Sequence, residues 1–321
     1  MIILTGGAGF IGSCLLHKLN SNNIKDVIIV DNLKSGDKWK NLVGKLFSDF
    51  IHKDTFLSKL NNKTFAKVIN TIIHLGACTD TTEKDADYMI YNNYSYSKEI
   101  AQFAVNNNIR FIYASSAATY GNGENGYSDR EFYKLKPLNI YGFSKHLFDL
   151  WVLENNYDKI FTGLKFFNVF GPNEYHKNEM ASMVYKSYLQ VIEQQRIRLF
   201  KSNHPEFRNG EQKRDFIYVK DVVEVIWNIL NTTHINGIFN LGTGKASTWN
   251  ELANAVFKAL GKEPNIEYIE MPENLSSQYQ NFTQADMSRL KDTMSLKPFY
   301  TLDSAISDYI HNYLTQKWQY L

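Results

Sequence analysis

The chain has 321 residues, a hydrophobic fraction of 44% and a formal net charge of +2 at pH 7. Its 35 basic and 33 acidic residues are intermixed, which argues against a nucleic-acid-binding or membrane-surface protein. The length predicts two domains or one enlarged α/β unit. With only Cys14 and Cys78 as cysteines, no room for a signal peptide before Gly6 and no long apolar run, the sequence predicts a cytoplasmic protein without a metal site.

The chain begins with a pattern typical of dinucleotide-binding proteins. An apolar segment, residues 1–4, runs into Gly6, Gly9 and Gly12, and an apolar-periodic helix follows. Glycines at this spacing allow a tight turn, close approach of the backbone to a pyrophosphate and close packing of the helix on the strand. The start of the helix offers unpaired N–H groups to the phosphates. We therefore expect these glycines to hold the phosphates of a dinucleotide.

A second apolar strand, residues 26–30, is followed by Asp31. An acid at this distance from the glycine turn usually holds the adenosine ribose. Lys34, Lys38 and Lys53 are near enough in sequence to reach a 2′-phosphate on that ribose. The residues alone therefore leave both NAD and NADP open as the cofactor.

Strand and helix patterns then alternate without interruption. The expected elements are strands at residues 46–51, 68–75 and 110–114 and helices at residues 54–60 and 88–106. This alternation predicts an α/β fold with a doubly wound parallel Rossmann sheet. The alternation breaks from Gly171 onward, which predicts a smaller α/β substrate-binding domain.

The predicted domain division assigns two stretches to each domain. The Rossmann domain takes residues 1–170 and 213–241, and the substrate-binding domain takes residues 171–212 and 242–321. Residues 216–219 and 237–241 are expected to return as strands to the cofactor sheet, and a loop over residues 272–280 is expected to help cap the substrate. The active site should lie in the crevice between the domains.

A set of candidate catalytic residues lies near the middle of the chain. If a helix begins near Tyr141, Lys145 lies one turn later on the same face. A buried ammonium beside a phenol lowers the pKa of the tyrosine, so that the phenolate can accept the proton of a substrate hydroxyl. Ser116, which ends the strand before this helix, can hold the same oxygen. The pattern predicts alcohol oxidation at a nicotinamide cofactor.

These motifs resemble the extended short-chain dehydrogenase/reductase family. The matching segments are residues 5–12, Asp31 with Asn32, Ser116, Tyr141 with Lys145, and residues 168–172. Further segments resemble the members of this family that epimerise nucleotide-linked sugars, in particular those acting at C6 of an ADP-linked heptose. They are residues 76–83, 92–94, 113–121, 176–177, 180–182, 213–216 and 282–286.

The resemblance implies a redox-neutral reaction that supplies the heptose of the lipopolysaccharide inner core. Hydride leaves C6 of an ADP-heptose, a ketone forms, and hydride returns to the opposite face. Two acid/base groups on opposite sides are then needed, and the resemblance assigns them to Tyr141 and Lys177, supported by Lys145 and Ser116. A lysine can act in this way if burial lowers its pKa.

The resemblance also implies NADP as cofactor, with NAD left open, and a homo-oligomer. It maps the cofactor contacts, beyond the glycines, to Phe10, Ile11, Asp31, Asn32, Lys38, Lys53, Leu75, Gly76, Ala77, Cys78, Thr79, Asn92, Tyr141, Lys145, Val169 and Lys177. It maps the substrate contacts to Ser116, Asn168, Glu179, Lys186, Phe200, Arg214 and Tyr279.

Three features depart from the family pattern. Lys186 stands where a histidine is expected, Glu179 stands where a small residue is expected, and the segment 201–212 is longer than usual. Arg214, just before a short strand, is well suited to a diphosphate.

Two rival functions remain open at this level. A nucleotide-sugar 4-epimerase would use the same residues, whereas a 4,6-dehydratase commonly needs an acidic pair where this chain has Ala117 and Ala118. A non-catalytic dinucleotide-binding protein would need neither Ser116 nor the pair of Tyr141 and Lys145. The presence of all three residues favours an enzyme.

Overall fold

The computed structural model describes residues 1–60, 63–232, 234–276 and 279–321. The strands are β1 (Ile2–Thr5), β2 (Val27–Asp31), β3 (Asp49–His52), β4 (Thr71–His74), β5 (Arg110–Ser116), β6 (Phe161–Phe166), β7 (Asn168–Phe170), β8 (Ile197–Phe200), β9 (Lys213–Tyr218), β10 (Gly237–Leu241), β11 (Ala246–Thr248) and β12 (Ile266–Ile269). Of the loop predicted at residues 272–280, positions 277 and 278 lie outside the described residues.

Helices connect most of these strands. The α-helices are α1 (Phe10–Ser21), α2 (Lys53–Leu60), α3 (Lys63–Val68), α4 (Ala86–Ile90), α5 (Tyr96–Asn106), α6 (Ile140–Glu154), α7 (Met183–Gln194), α8 (Val219–Leu230), α9 (Trp249–Ala259), α10 (Glu273–Ser276), α11 (Ser288–Thr293) and α12 (Leu302–Tyr309). Short 3₁₀ helices occur at Asp37–Leu42, Ala117–Tyr120, Tyr157–Lys159 and Tyr175–Met180, and π-helical turns occur at Tyr91–Ser95 and Ile310–Leu314. Within the described residues, none of the helices is both long enough and apolar enough to span a bilayer.

The central sheet has seven strands in the order β10-β6-β5-β4-β1-β2-β3. Every pairing in it is parallel. Strands β1, β2 and β4 are buried along their whole length, as expected for apolar strands covered on both faces. The predicted doubly wound Rossmann sheet is confirmed.

Side chains of successive strand residues enter two separate cores. Leu4 of β1 packs into the core that contains Leu16 of α1 and Val222 of α8. Its neighbour Ile3 packs into the core that contains Ile100 of α5. Because neighbouring residues of a strand point to opposite faces, the two cores lie on opposite sides of the sheet.

The boundaries of some predicted elements are wrong. The third and fourth strands are shorter than the predicted 46–51 and 68–75 and occupy Asp49–His52 and Thr71–His74. The fifth strand is longer and reaches Ser116. The single helix predicted at 88–106 is divided, because the π-helical turn Tyr91–Ser95 separates α4 from α5.

The prediction that the segment around 216–219 returns to the cofactor sheet is also wrong. Strand β9 lies in a separate three-stranded sheet, β11-β9-β7, parallel to β7 and antiparallel to β11. The edge of the central sheet beside β6 is taken by β10, as predicted. Residues 214–218 of β9 are all buried, so their apolar pattern could not indicate which sheet they join.

A third sheet pairs β12 with β8 in parallel. Helix α9 packs against both α7 and α12 in this part of the chain. Each of these two strands has four residues. This group is the smaller α/β unit that the sequence predicted beside the Rossmann sheet.

Candidate active site

A cavity of about 950 Å³ opens at the carboxyl ends of β1, β2, β4 and β5. The loops that leave parallel strands meet at this edge of a doubly wound sheet, where such folds bind their ligands. The segment between β7 and α7, which includes Lys177, also lines this cavity.

The glycine turn makes a tight cradle at one end of this cavity. Gly6 has a φ of +68°, and a Cβ there would lie 2.7 Å from the Gly76 nitrogen. A Cβ on Gly12 would lie 2.1 Å from the Gly6 carbonyl oxygen. Helix α1 begins at Phe10 with no side-chain cap, so its first amides are not taken up by a capping side chain. This bare helix start fits the pyrophosphate of a dinucleotide.

Asp31 lies at the end of β2 with a buried carboxylate. It accepts hydrogen bonds from the Ala8 amide at 2.9 Å, the Asn32 amide at 2.7 Å and the Lys38 ammonium at 2.5 Å. Lys53 lines the same end of the cavity and pairs with Asp54 at 2.6 Å. Lys34 and Asp37 line this end of the cavity as well, so it combines carboxylates with several ammonium groups.

Ser116, Tyr141 and Lys145 meet at the end of β5. The phenol of Tyr141 and the hydroxyl of Ser116 both line the cavity here, and the Lys145 ammonium donates to the Ala114 carbonyl oxygen at 2.9 Å. Helix α6 can approach the strand end this closely because Gly142 has no Cβ. A Cβ at this position would lie only 2.6 Å from the Ala118 carbonyl oxygen. The strand end and the first turn of the helix thus present three polar groups to the cavity.

The predicted lowering of the tyrosine pKa is not found in this structure. Removal from water raises the pKa of Tyr141, and its hydrogen bond with Ser116 only partly opposes that effect. The Lys145 ammonium is directed to the backbone of β5, and burial lowers its own pKa to about 8. The desolvation of the phenol therefore outweighs the effect that the sequence spacing predicted.

Lys177 lines the same cavity from a different element. It lies on the 3₁₀ helix Tyr175–Met180, and its ammonium is 5.8 Å from the centre of the Phe10 ring. Burial lowers the pKa of Lys177, and the nearby carboxylate of Glu174 opposes this shift. The structure therefore brings Lys177, Tyr141 and Ser116 to one cavity from separate elements.

Every residue predicted to contact the cofactor lines this cavity. Of the predicted substrate residues, Ser116 and Asn168 line it as well. A smaller neighbouring cavity of about 250 Å³ shares Asn168, Val169 and Lys177 with it and extends toward Trp249.

The other predicted substrate residues do not line the main cavity. Glu179 and Lys186 form an ion pair at 3.1 Å, with the Glu179 side chain 92% exposed, so they point into solvent. Phe200 is half-buried in β8. The buried Arg214 lies 5.0 Å from the centre of the Tyr279 ring and also faces Trp249, which lines the smaller cavity.

Asn93 is a site residue that the sequence prediction missed. It is fully buried and exchanges hydrogen bonds with the backbone of Cys78, at 2.8 Å and 2.9 Å, and donates to the Ser144 hydroxyl at 3.0 Å. The predicted residue Asn92 lines the cavity and donates to the Tyr88 carbonyl oxygen. The π-helical turn Tyr91–Ser95 alters the helical phase here, so a regular helix could not indicate which asparagine points inward.

The described part of the chain contains no cluster of side chains suited to binding a metal ion. None of its groups of histidine, cysteine, aspartate and glutamate is arranged to hold a metal ion. The polar groups around the main cavity instead suit a dinucleotide and a polar substrate.

Comparison with known proteins agrees with this site. The sequence profile of the NAD dependent epimerase/dehydratase family matches residues 2–242. The chain is 49% identical over 317 residues to ADP-L-glycero-D-manno-heptose-6-epimerase of Nitratidesulfovibrio vulgaris, covering 98% of both chains. It is 46% identical over 332 residues to the protein of the same name from Fusobacterium nucleatum, covering 100% of both.

Solved structures give the same result. The ADP-L-glycero-D-manno-heptose-6-epimerase of Helicobacter pylori matches with a TM-score of 0.82 and 30% identity over 97% of this chain and 95% of that one. A UDP-N-acetylglucosamine 4-epimerase from Methanobrevibacter ruminantium matches with a TM-score of 0.78 and 25% identity over 97% and 98%. The cavity and these relatives identify an epimerase with a nicotinamide dinucleotide cofactor, and the chain belongs to the NAD dependent epimerase/dehydratase family.

Proposed function

We propose that the protein converts ADP-D-glycero-D-manno-heptose to ADP-L-glycero-D-manno-heptose by inverting C6 through a ketone. The observation that carries this proposal is that two different proton-transfer groups, Tyr141 of α6 and Lys177 of the 3₁₀ helix Tyr175–Met180, line one cavity. The names of relatives at 46% and 49% identity support the choice of substrate. The product would supply heptose for the lipopolysaccharide inner core.

Inversion needs hydride to leave one face of C6 and to return to the opposite face, while the proton of the C6 hydroxyl is removed from one epimer and given back in the other. A bound nicotinamide dinucleotide would supply the hydride acceptor and donor. Tyr141, held by Ser116, is placed to exchange a proton with the C6 hydroxyl in one epimer, and Lys177 is placed to do so in the other. No net oxidation results, because the hydride and the proton both return to the sugar.

The ionisation of Tyr141 is the costly step in this scheme, because desolvation raises its pKa. The ammonium of Lys145 donates to the Ala114 carbonyl oxygen in this structure, and it would favour the phenolate by electrostatic attraction on turning toward the phenol when cofactor and substrate bind. The hydroxyl of Ser116 can donate to the same oxygen and stabilise the negative charge. These residues therefore act together on one proton.

We further propose NADP as the cofactor. Lys38 and Lys53 line the adenosine end of the cavity, and two ammonium groups there can bind a 2′-phosphate. The carboxylates of Asp31 and Asp54 hold these ammonium groups in place.

The smaller cavity is the proposed place of the ADP-linked sugar. Asn168 lines both this cavity and the main cavity. The proposed diphosphate ligand is Arg214, whose guanidinium lies 5.6 Å from the centre of the Trp249 ring. Burial lowers the pKa of Arg214 without a carboxylate to offset it, which suits an anionic ligand. Residues 1–170 and 213–241 would then bind the cofactor and the remainder the nucleotide sugar, in a cytoplasmic homo-oligomer.

The purified protein tests this proposal directly. With NADP and ADP-D-glycero-D-manno-heptose, proton NMR should show the L-glycero epimer appearing to equilibrium. In D₂O the C6 position should stay protonated, since hydride returns without exchange with solvent. Inversion of UDP-glucose at C4 with no change in the heptose would identify a 4-epimerase instead.

A further inference from the structure

Glu174 is a buried carboxylate three residues before Lys177, with 1% of its surface exposed. It lines the smaller cavity together with Lys177. The carboxylate accepts three hydrogen bonds, from the Gly171 amide at 3.1 Å, the Ser182 amide at 2.6 Å and the Ser182 hydroxyl at 2.8 Å. An acid buried to this degree is uncommon unless it has a structural or chemical role.

The three donors lie at the two ends of one chain segment. Gly171 directly follows β7, and Ser182 is the N-cap of α7, where its hydroxyl also accepts from the Tyr185 amide at 3.2 Å. Lys177 lies between these two ends. A single carboxylate therefore closes the segment 171–182 on itself and fixes the base of the loop that presents Lys177.

The backbone of this segment needs such support. Asn173 has a φ of 75°, and Asn178, next to Lys177, has a φ of 48° with a ψ of −119°. Non-glycine residues in such conformations cost on the order of 1–3 kcal/mol each and persist only where the surroundings impose them. Asn173 is held by a hydrogen bond to Ser13 at 2.9 Å, and Glu174 holds the rest of the turn.

The charge of Glu174 acts mainly on Lys177. The other titratable groups that interact with the carboxylate are Cys14 of α1, Tyr175 of the same segment, Tyr185 of α7 and Tyr309 of α12. Burial raises the pKa of each of these, which keeps them neutral at pH 7.

The surroundings of Lys177 lead to the same conclusion. His176 is the other titratable group that interacts with it, and burial and nearby ammonium groups lower the pKa of His176 to about 4, so that it is neutral as well. Glu174 is therefore the acidic group that acts on Lys177, and its carboxylate opposes the effect of burial on the ammonium. Burial raises the pKa of Glu174 itself, and the hydrogen bonds from Ser182 and Gly171 and the charge of Lys177 oppose that shift.

We propose that Glu174 is a positioning residue for Lys177, which fixes the segment that carries the lysine and favours its protonated form in the step where it donates to the ketone oxygen. The donated proton moves from the Lys177 ammonium to the oxygen on C6, and the neutral amine remains. This inference rests on the proposed role of Lys177 in epimerisation.

The test compares Glu174→Gln, which removes the charge, with Glu174→Asp, which keeps it on a shorter side chain. The ionisation of Lys177 is followed by NMR of ¹³Cε-labelled lysine in the complex with NADP, with the signal assigned by its absence in Lys177→Arg. Glu193→Gln, an exposed change on α7, is the control. Epimerase activity is measured as kcat and KM across the same pH range.

Glu174→Gln should lower the Lys177 pKa by about one unit, the size expected for the loss of a nearby opposite charge. Its kcat should fall by about 10-fold or more, while NADP affinity changes by less than about 2-fold. Glu174→Asp should keep the pKa of Lys177 near that of the parent but still lower kcat, because the shorter side chain cannot reach both ends of the segment.

An unchanged Lys177 pKa in Glu174→Gln would overturn the inference, as would equal pKa shifts in both variants. If Glu174→Gln does not fold, full kcat in Glu174→Asp would overturn it as well. Failure of the parent to convert the heptose would reject the proposed function, whereas the NMR titration would still report the effect of Glu174 on Lys177.

Discussion

The hydroxyl of Ser116 acts on the phenol of Tyr141 across the junction of strand β5 and helix α6 and lowers the phenol's pKa, against the larger rise that burial causes. Ser116 also accepts from the Ala118 amide at 3.1 Å, so its own position is fixed. Two hydroxyl groups held in this way can bind one substrate oxygen from two directions. The arrangement makes the tyrosine the first residue to test.

Tyr141→Phe should lower kcat by about 100-fold or more, the usual effect of losing a general acid/base. The binding of NADP, measured by isothermal titration calorimetry, should stay close to that of the parent. Tyr133→Phe, at a side chain that is 69% exposed, serves as the control and should be fully active. A Tyr141→Phe variant within about 3-fold of the parent would remove the phenol from the mechanism.

Lys38→Ala should reduce the affinity for NADP by about 10-fold or more, since hydrogen bonds between charged groups contribute about 1.5–3 kcal/mol. The affinity for NAD should change less, because loss of the ammonium leaves Asp31 free to accept from ribose hydroxyls. Dissociation constants of NADP and NAD, measured by calorimetry for the parent and for Lys38→Ala, show whether Lys38 binds the 2′-phosphate. Lys40→Ala, at a lysine paired with Asp37, is the control, and equal losses for NADP and NAD in Lys38→Ala would contradict a 2′-phosphate site.

His74 should make the fold sensitive to acid. Burial lowers its pKa from 6.5 to about 3, with Thr5 and Ser97 hydrogen-bonded to its two ring nitrogens. Below pH 6.5 the unfolded chain binds a proton that the folded chain does not, so stability falls as the pH drops from 6.5 toward 3. This side chain alone should remove about 2 kcal/mol from the free energy of unfolding between pH 7 and pH 5.

Urea denaturation of His74→Asn at the two pH values measures this contribution. The variant should lose about 2 kcal/mol less than the parent over the interval, since the asparagine cannot take up the proton in either state. The exposed residue His311 provides the control substitution. Equal losses in the parent and in His74→Asn would show that other groups cause the acid sensitivity.

Lys165 and Asp149 form a fully buried ion pair at 2.6 Å beneath the end of β5. Asp149 also accepts from the Tyr113 phenol at 3.0 Å and the Ser115 hydroxyl at 2.7 Å. Lys165→Met leaves this carboxylate without its counter-charge and should cost about 3–5 kcal/mol in the free energy of unfolding. Combining it with Asp149→Leu should recover part of that loss, and an additive effect in urea denaturation would disprove the coupling.

Much of the fold could be predicted because its signals are local. The alternation of apolar strands and helices up to Gly171 gave the parallel sheet, and the spacing of Gly6, Gly9 and Gly12 located the phosphate turn. The position of β9 could not be predicted, since a fully buried strand has no alternating pattern to indicate its partners. Pairing between distant segments is decided by tertiary packing.

The candidate site was predictable to a similar degree. Tyr141 and Lys145 lie on one face of α6 as their spacing indicated, whereas the role of Lys177 came only from the family resemblance. The direction of the Tyr141 pKa was wrong because spacing carries no information on desolvation. Asn93 was missed because the π-helical turn at Tyr91–Ser95 leaves no mark in the hydrophobic pattern.

The sheet β11-β9-β7 joins the two halves of the molecule through main-chain hydrogen bonds. Strand β7 continues from β6 of the central sheet, and β11 leads into α9 of the smaller unit. Because β9 pairs with both strands, the Rossmann sheet and the smaller unit cannot separate at this point without breaking hydrogen bonds between strands. Any opening of the crevice that keeps these pairings intact would have to turn about this sheet.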